Sequence, residues 1–367
     1  MTGATASYAY LHARVSVLAE QLLPTAVLER LIVCPPEQEI DLLERSGLSL
    51  SSAHGSDDPA ALEQKLTDAF VADFIILARA LSGVQRELLV YWARRYELSN
   101  LKAIIRGKIS EQPAEKIREQ LLDIGAFATL PVDDLLRTDD VAELLRMLEM
   151  TPYADIARQA RRIYEEQQDQ FALDAAVDRR YLAGINKRVT ALAADDRRIL
   201  RPLIGAILDR FNLVWLLRYR FAYNLTPAET YYLLIPGGYH LRGPELQALA
   251  QLGSFEDVMS NLPTALAREL ERASCTNTVD RLLELQIGSI AESILRHTAF
   301  NLARACAYLL LRELDLARIH AVLRGKRLQM KPETIRLSLW PPLTALTDAE
   351  SRGPSAGSGA VSGAALG

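Results

Sequence analysis

Glu97-Leu-Ser-Asn-Leu-Lys-Ala-Ile-Ile-Arg-Gly-Lys108 is the first of three related stretches in this chain. The pattern returns as Asp209-Arg-Phe-Asn-Leu-Val-Trp-Leu-Leu-Arg-Tyr-Arg220 and as Asp315-Leu-Ala-Arg-Ile-His-Ala-Val-Leu-Arg-Gly-Lys326. Each copy opens with an acid and carries aliphatic residues at its fifth, eighth and ninth places: Leu101/Ile104/Ile105, Leu213/Leu216/Leu217 and Ile319/Val322/Leu323. That spacing places each triad on one face of a helix. The fourth place holds Asn100, Asn212 and Arg318, and the tenth holds Arg106, Arg218 and Arg324. A proline and a glutamate follow every copy: Pro113 with Glu115, Pro227 with Glu229, Pro332 with Glu333. The copies begin 112 and 106 positions apart (209 − 97 and 315 − 209), so one unit of about 110 residues is expected three times.

The rest of the chain reads as helix around these copies. Tyr8 to Leu31 keeps helical spacing with a break at Pro24, and Ile40 to Arg45 is a short helix. Leu62 to Ile109 is periodic apart from Ser82-Gly83 and ends in the first motif. A second long arm, Leu173 to Phe221, is expected to break at Pro202. A third, Val279 to Leu328, is expected to run as one helix that bends at Gly288. Short helices and a glycine turn follow each of the first two motifs: Gly125 after the first, Gly237-Gly238 after the second. A turn that needs positive φ accounts for these glycines. Tyr153 to Gln170 reads as a charged helix with a solvated face, and Ala349 to Gly367, poor in bulky side chains, as disordered. The fold class is all-α, in three similar helical bundles: 1–112, 113–226 and 227–346, with a Gly/Ser/Ala tail at 347–367.

Composition bounds the function. The chain has 367 residues, 49% hydrophobic and 24% charged, which is a globular balance. Its net charge of −4 argues against nucleic acid as a partner. Cys34, Cys275 and Cys306 fall at no metal-ligand spacing and fit free thiols in a reducing compartment. Met1 to Tyr10 lacks the pattern of a signal peptide, and no run of 18 apolar residues suggests a membrane span.

Chemistry-bearing motifs are lacking. There is no phosphate-binding glycine loop; the Arg-Gly-Lys triplets at 106–108 and 324–326 sit where a helix ends, the wrong pole for a phosphate. The five histidines, His12, His54, His240, His297 and His320, include no i, i+4 pair. No catalytic residue, cofactor site or metal site is assigned, and no direct small-molecule substrate is expected. The triplicated arginines need partners if half-buried, and Glu115, Glu229 and Glu333 are the candidates; the other reading is three solvated arginines.

The triplicated helix resembles the C subunit of archaeal and bacterial A/V-type ATPases, the counterpart of the d subunit in the eukaryotic vacuolar enzyme. The opening Tyr8-Ala-Tyr-Leu-His-Ala-Arg-Val15 is similar to that family's start, with His12 in place of its asparagine. Phe211-Asn-Leu213, Arg218-Tyr-Arg220, Pro227-Ala-Glu229 and Leu234-Ile-Pro-Gly-Gly238 match its central signature, and the resemblance covers Tyr8 to Leu339. It implies a funnel of three helical domains with pseudo-threefold symmetry, and a rotor part rather than an enzyme. The implied partners are the D and F shaft subunits and the membrane proteolipid c-ring, with the A/B catalytic head and the a/I subunit reached indirectly. The implied place is peripheral, on the cytoplasmic face of the membrane, in H⁺ or Na⁺ transport. The other reading of the same fold is a free-standing helical-repeat scaffold that binds soluble partners.

Overall fold

Helices account for all the regular structure among the described residues, 3–48, 50, 59–167 and 170–339 of a computed structural model. The chain is all-α. Its described residues divide into two compact units: those within 82–191 in one, and those within 3–81 and 192–339 in the other.

The unit 82–191 opens on α5 (Gly83–Ile109), which carries the first motif, and closes on α10 (Gln170–Thr190). Between them lie α6 (Ala114–Arg118), a 3₁₀ turn at Gly125–Phe127, α7 (Val132–Arg137), α8 (Val141–Leu148) and α9 (Ala154–Gln167). Asp140 caps α8 by accepting the Glu143 amide. Leu101, Ile104 and Ile105 lie in one apolar core with Ile117, Leu135, Leu144, Leu145 and Leu148. Fully burying each aliphatic side chain contributes roughly 1.5–3 kcal/mol. α10 packs back along α5, where the Lys102 ammonium meets the Asp178 carboxylate and Tyr181 donates to the Trp92 carbonyl at 2.9 Å.

The other unit joins both parts of the chain. Its first part supplies α1 (Gly3–Ala19), α2 (Thr25–Val33), α3 (Glu39–Arg45) and α4 (Pro59–Arg79). Its second part supplies α11 (Ala194–Leu217), a π-turn at Arg218–Ala222, α12 (Pro227–Leu233), α13 (Gly243–Ala250), α14 (Phe255–Ser260) and α15 (Thr264–Glu269). It ends with α16 (Thr276–His297), α17 (Leu302–Arg327) and α18 (Pro332–Leu339). The axis of this unit is α17, which carries the third motif. Every residue from Ala305 to Leu316 is buried, the mark of a helix covered on all sides. The covering comes from α1, α2 and α4 as well as α11, α16 and α18.

Two helix breaks lie elsewhere than the periodicity suggests. Pro202 sits inside α11, and the second arm breaks at residues 191–193 instead. Leu200, Leu203 and Ile204 are all buried, and this packing carries the helix through the proline. The third arm is not one rod. It stops at Thr298, and Asn301 caps a new helix by accepting the Ala303 amide at 2.8 Å, with Phe300 at φ 51 turning the corner. Gly288 lies within α16. The expected tail, His54 and Trp340 lie outside the described residues.

Candidate functional site

Each motif lies in the last turns of a long helix, and its two ends grip one short helix. The grip begins at the opening acid. Glu97, Asp209 and Asp315 are between 1% and 4% exposed, so their carboxylates must find donors inside the protein. The Glu97 carboxylate accepts from the amide of Thr129, from its hydroxyl at 2.8 Å, from the Leu130 amide at 2.6 Å and from the Tyr153 hydroxyl. Asp209 accepts from the amides of His240 at 2.7 Å and Leu241 at 3.0 Å, and Asp315 from the Leu23 amide at 2.8 Å. Each receiving segment stands just ahead of a short helix: α7, α13 and α2 respectively.

The grip closes at the twelfth motif place. Lys108 donates to the carbonyls of Leu136 at 3.2 Å and Thr138 at 2.5 Å, at the end of α7. Arg220 donates to Leu252 at 3.1 Å, past the end of α13, and to Leu225 at 2.6 Å. Lys326 donates to Leu31 at 3.0 Å and Cys34 at 2.8 Å, at the end of α2, and pairs with Glu39. A helix leaves amides unpaired at its start and carbonyls at its end. Here an acid takes the amide side and a cation the carbonyl side, the polarity that the helix dipole favours. Acid and cation are eleven residues apart in every copy, roughly 16 Å along the helix. Leu23 to Cys34 and Leu241 to Leu252 span the same eleven residues.

The middle of the motif fixes the segment before that short helix. Asn100 accepts the Leu122 amide at 2.8 Å and donates to the Leu122 carbonyl at 2.7 Å. Asn212 makes the same two-point contact with Ile235, at 2.8 Å each way. Arg318 has no acceptor oxygen on its side chain and instead lies 3.6 Å from Asp315. The eleventh place controls how closely the next helix approaches. A Cβ on Gly107 would lie 2.5 Å from the Ile117 side chain, and one on Gly325 2.8 Å from that of Ile335. In the second copy Tyr219 is wholly buried in a π-turn, and the buried residue of α12 is the smaller Thr230. The first and third motif helices end in a Schellman turn, with Glu111 and Gln329 at positive φ. The π-turn adds one residue, and Asn224 takes the same place.

Gly237 has φ +105, and Gly238 has no room for a side chain: a Cβ there would overlap Asp209 Oδ1. Both glycines thus serve the second acid grip. The arginines at the tenth place do not enter these grips. Arg106 and Arg324 are exposed and Arg218 half-buried, and among the described residues no ion pair joins them to Glu115, Glu229 or Glu333. Glu229 instead closes a capping box with Thr226, and Glu333 lies 4.0 Å from Arg336. The buried cations are other residues. Lys102 meets Asp178, Arg210 meets Asp280 at 2.7 Å, and Arg312 lies 3.6 Å from Asp73, to which Tyr308 donates at 2.7 Å. Each of these joins a motif helix to the long helix packed along it. The repeated Val177-Asp178 and Val279-Asp280 dipeptides were the signal for two of them.

Burial raises the Asp73, Asp178 and Asp209 carboxyls above the ordinary carboxylate value, against the pull of their donors. Burial pushes Asp315 up to about 6. These acids face backbone amides and helix cations and are engaged in holding helices. Among the described residues no cluster of three or more His, Cys, Asp or Glu side chains is placed to hold a metal ion. Cys34, Cys275 and Cys306 are free thiols. No helix among the described residues is long and apolar enough to cross a membrane.

The fold and the grips together define an all-α protein in which three motif helices each hold a short helix at a fixed offset. By sequence, residues 11–337 match the family described as ATP synthase (C/AC39) subunit. The chain belongs to that family, whose members are structural rather than catalytic subunits. It is 25% identical over 344 residues to the C subunit of the A-type ATP synthase of Methanocaldococcus jannaschii, covering 90% of this chain and 86% of that one. It is 26% identical over 304 residues to the corresponding C subunit from Halobacterium salinarum, covering 79% and 84%. With that of Methanosarcina mazei the figures are 23% over 345 residues, 90% and 92%.

Proposed function

We propose that this chain is a non-catalytic central-stalk subunit of an A/V-type rotary ATPase, coupling a D/F shaft to a membrane proteolipid ring. In this reading it passes torque between the A/B catalytic head and H⁺ or Na⁺ transport, and works past a stationary a/I subunit. It sits peripherally, on the cytoplasmic face. The observation that supports this most is the triplicated grip in a chain of the C/AC39 family. A torque-bearing part must resist shear between its helices. Close packing supplies stiffness, and paired acid and cation contacts fix the short helices lengthwise.

The same reading takes the chain as three bundles of one plan, forming the funnel that the family resemblance implies. Each bundle begins at a motif helix: 82–191, then 192–300, then 301–339 completed by 3–79. The boundaries drawn from sequence at 112/113 and 226/227 then move back to the turns that precede α5 and α11. The third bundle borrows α2 and α4 from the start of the chain.

The test is to tag the chain in its own host, solubilise membranes gently and identify what co-purifies. Recovery of proteolipid, D, F, A and B is expected. Recovery from the soluble fraction without them overturns the proposal in favour of a free-standing scaffold.

A further inference from the structure

The unit 82–191 contains a cleft that the helix grips do not use. Two cavities of about 360 and 350 Å³ meet between α5 and α10 and share three lining residues: Tyr91, Arg94 and Arg188. This volume is within the range of small-ligand sites. Five cations line the pair, Arg86, Arg94, Arg180, Lys187 and Arg188, against two acids, Glu87 and Asp155. The chain as a whole carries −4, so this is a local reversal of sign.

The two acids are already engaged. Asp155 pairs with Arg158 at 2.8 Å and Arg180 at 2.9 Å, and Glu87 lies 3.2 Å from Arg188. Arg86, Arg94 and Lys187 have no carboxylate partner among the described residues. The Arg188 Nε is buried and makes no aligned hydrogen bond.

The walls are built to hold these guanidiniums in place. Arg188 lies 3.6 Å above the Tyr91 ring, and Arg94 stands 5.5 Å from Tyr91 and 5.7 Å from Tyr153. Tyr181 stacks on Tyr91 at 5.4 Å. Gly184 allows this arrangement, since a Cβ there would overlap the Tyr91 hydroxyl. The Tyr91 ring is therefore packed against a guanidinium and another ring. The cleft offers positive charge and directed N–H groups but no open platform at Tyr91 for a base to stack on.

We propose that this cleft binds a small polyphosphate anion, inorganic pyrophosphate or the phosphate chain of a nucleotide, and recognises the phosphates without reading the base. Arginine forks suit phosphate oxygens in two-point contacts. A bound pyrophosphate gives Arg94 the acceptor that it lacks and adds a second anion beside the Arg188 guanidinium, which already meets Glu87 and the Gly184 carbonyl. The ligand is an effector and is not turned over. The inference stands apart from the rotor proposal, and its failure leaves that proposal untouched.

The experiment is calorimetric titration of the full chain with inorganic pyrophosphate, then with ADP and GDP. Saturable binding is expected, with the two nucleotides within about threefold of each other, because a pocket without base contacts discriminates weakly. Arg94→Gln and Arg188→Gln should each weaken pyrophosphate binding about tenfold or more, the loss of one charge-assisted contact. Lys187→Gln, on an exposed residue whose replacement leaves the core intact, should weaken it less. Arg137→Gln, an exposed cation of the same unit outside the cleft, should leave it unchanged. Absence of saturable pyrophosphate binding overturns the assignment. So does equal weakening by Arg137→Gln and Lys187→Gln, which marks diffuse attraction, or binding of ADP without pyrophosphate, which marks base recognition.

Discussion

Replacing Glu97 with alanine puts the grip under the most direct strain. The Glu97 side chain is 1% exposed and receives two backbone amides, one hydroxyl and one phenol. Alanine leaves the amides of Thr129 and Leu130 and the Tyr153 hydroxyl without their acceptor. A stranded buried donor costs about 1–3 kcal/mol, and partial rehydration keeps three of them to about 3–6 kcal/mol together. At 1.4 kcal/mol per factor of ten, protection of the Leu130 amide from hydrogen exchange should fall roughly 10² to 10⁴-fold. Residues 129–138, with α7, should show the largest change within the unit. Glu97→Gln keeps one acceptor oxygen and should fall between alanine and the parent. Unchanged protection at Thr129 and Leu130 in Glu97→Ala would refute the idea that this acid holds the segment.

Three further outcomes follow from the same contacts. Asn212→Ala strands the buried Ile235 amide and carbonyl, and chemical denaturation should show a loss of about 2–4 kcal/mol; a loss under half a kcal/mol would contradict the latch. Gly325→Ala drives a Cβ to 2.8 Å from Ile335 and should cost about 1–3 kcal/mol as overpacking, partly recovered by Ile335→Val in a double-mutant cycle. Asp315 has a folded value of about 6, raised from 3.8 by burial, with Arg318 and Arg312 pulling the other way. The folded chain then holds a proton that the unfolded chain has already released. The contribution of Asp315 to stability is therefore fully present below 3.8 and is lost as pH rises through about 6. Denaturation midpoints of the parent, relative to Asp315→Asn, should fall between about pH 4 and pH 7. Parallel curves would contradict the shift.

The apolar half of this fold was legible in the sequence, and the polar half only in outline. All nine triad residues are buried, because a period of 3.6 reports a helix face directly. The proline starts were legible too: Pro227 opens α12 behind a Thr226–Glu229 capping box. Partners were not legible. The acid at the first motif place and the cation at the twelfth were visible, but spacing along one helix says nothing of what stands opposite. Arg106 and Arg324 are exposed and Arg218 only half-buried, so the glutamate partners expected for them are not required. The third grip lay furthest from reach, because Asp315 and Lys326 hold Leu23 and Cys34 from the opposite end of the chain. Helix breaks split the same way. Asn301 carries a cap signal that periodicity alone passes over, whereas Pro202 is a stop signal that packing overrides.

Coupling is the central claim, and the most direct measurement compares ATP hydrolysis with ion pumping in reconstituted complexes with and without this chain. The account predicts that complexes assembled without it still hydrolyse ATP but build no ion gradient, and that adding it back restores pumping. Full pumping in its absence would contradict the account.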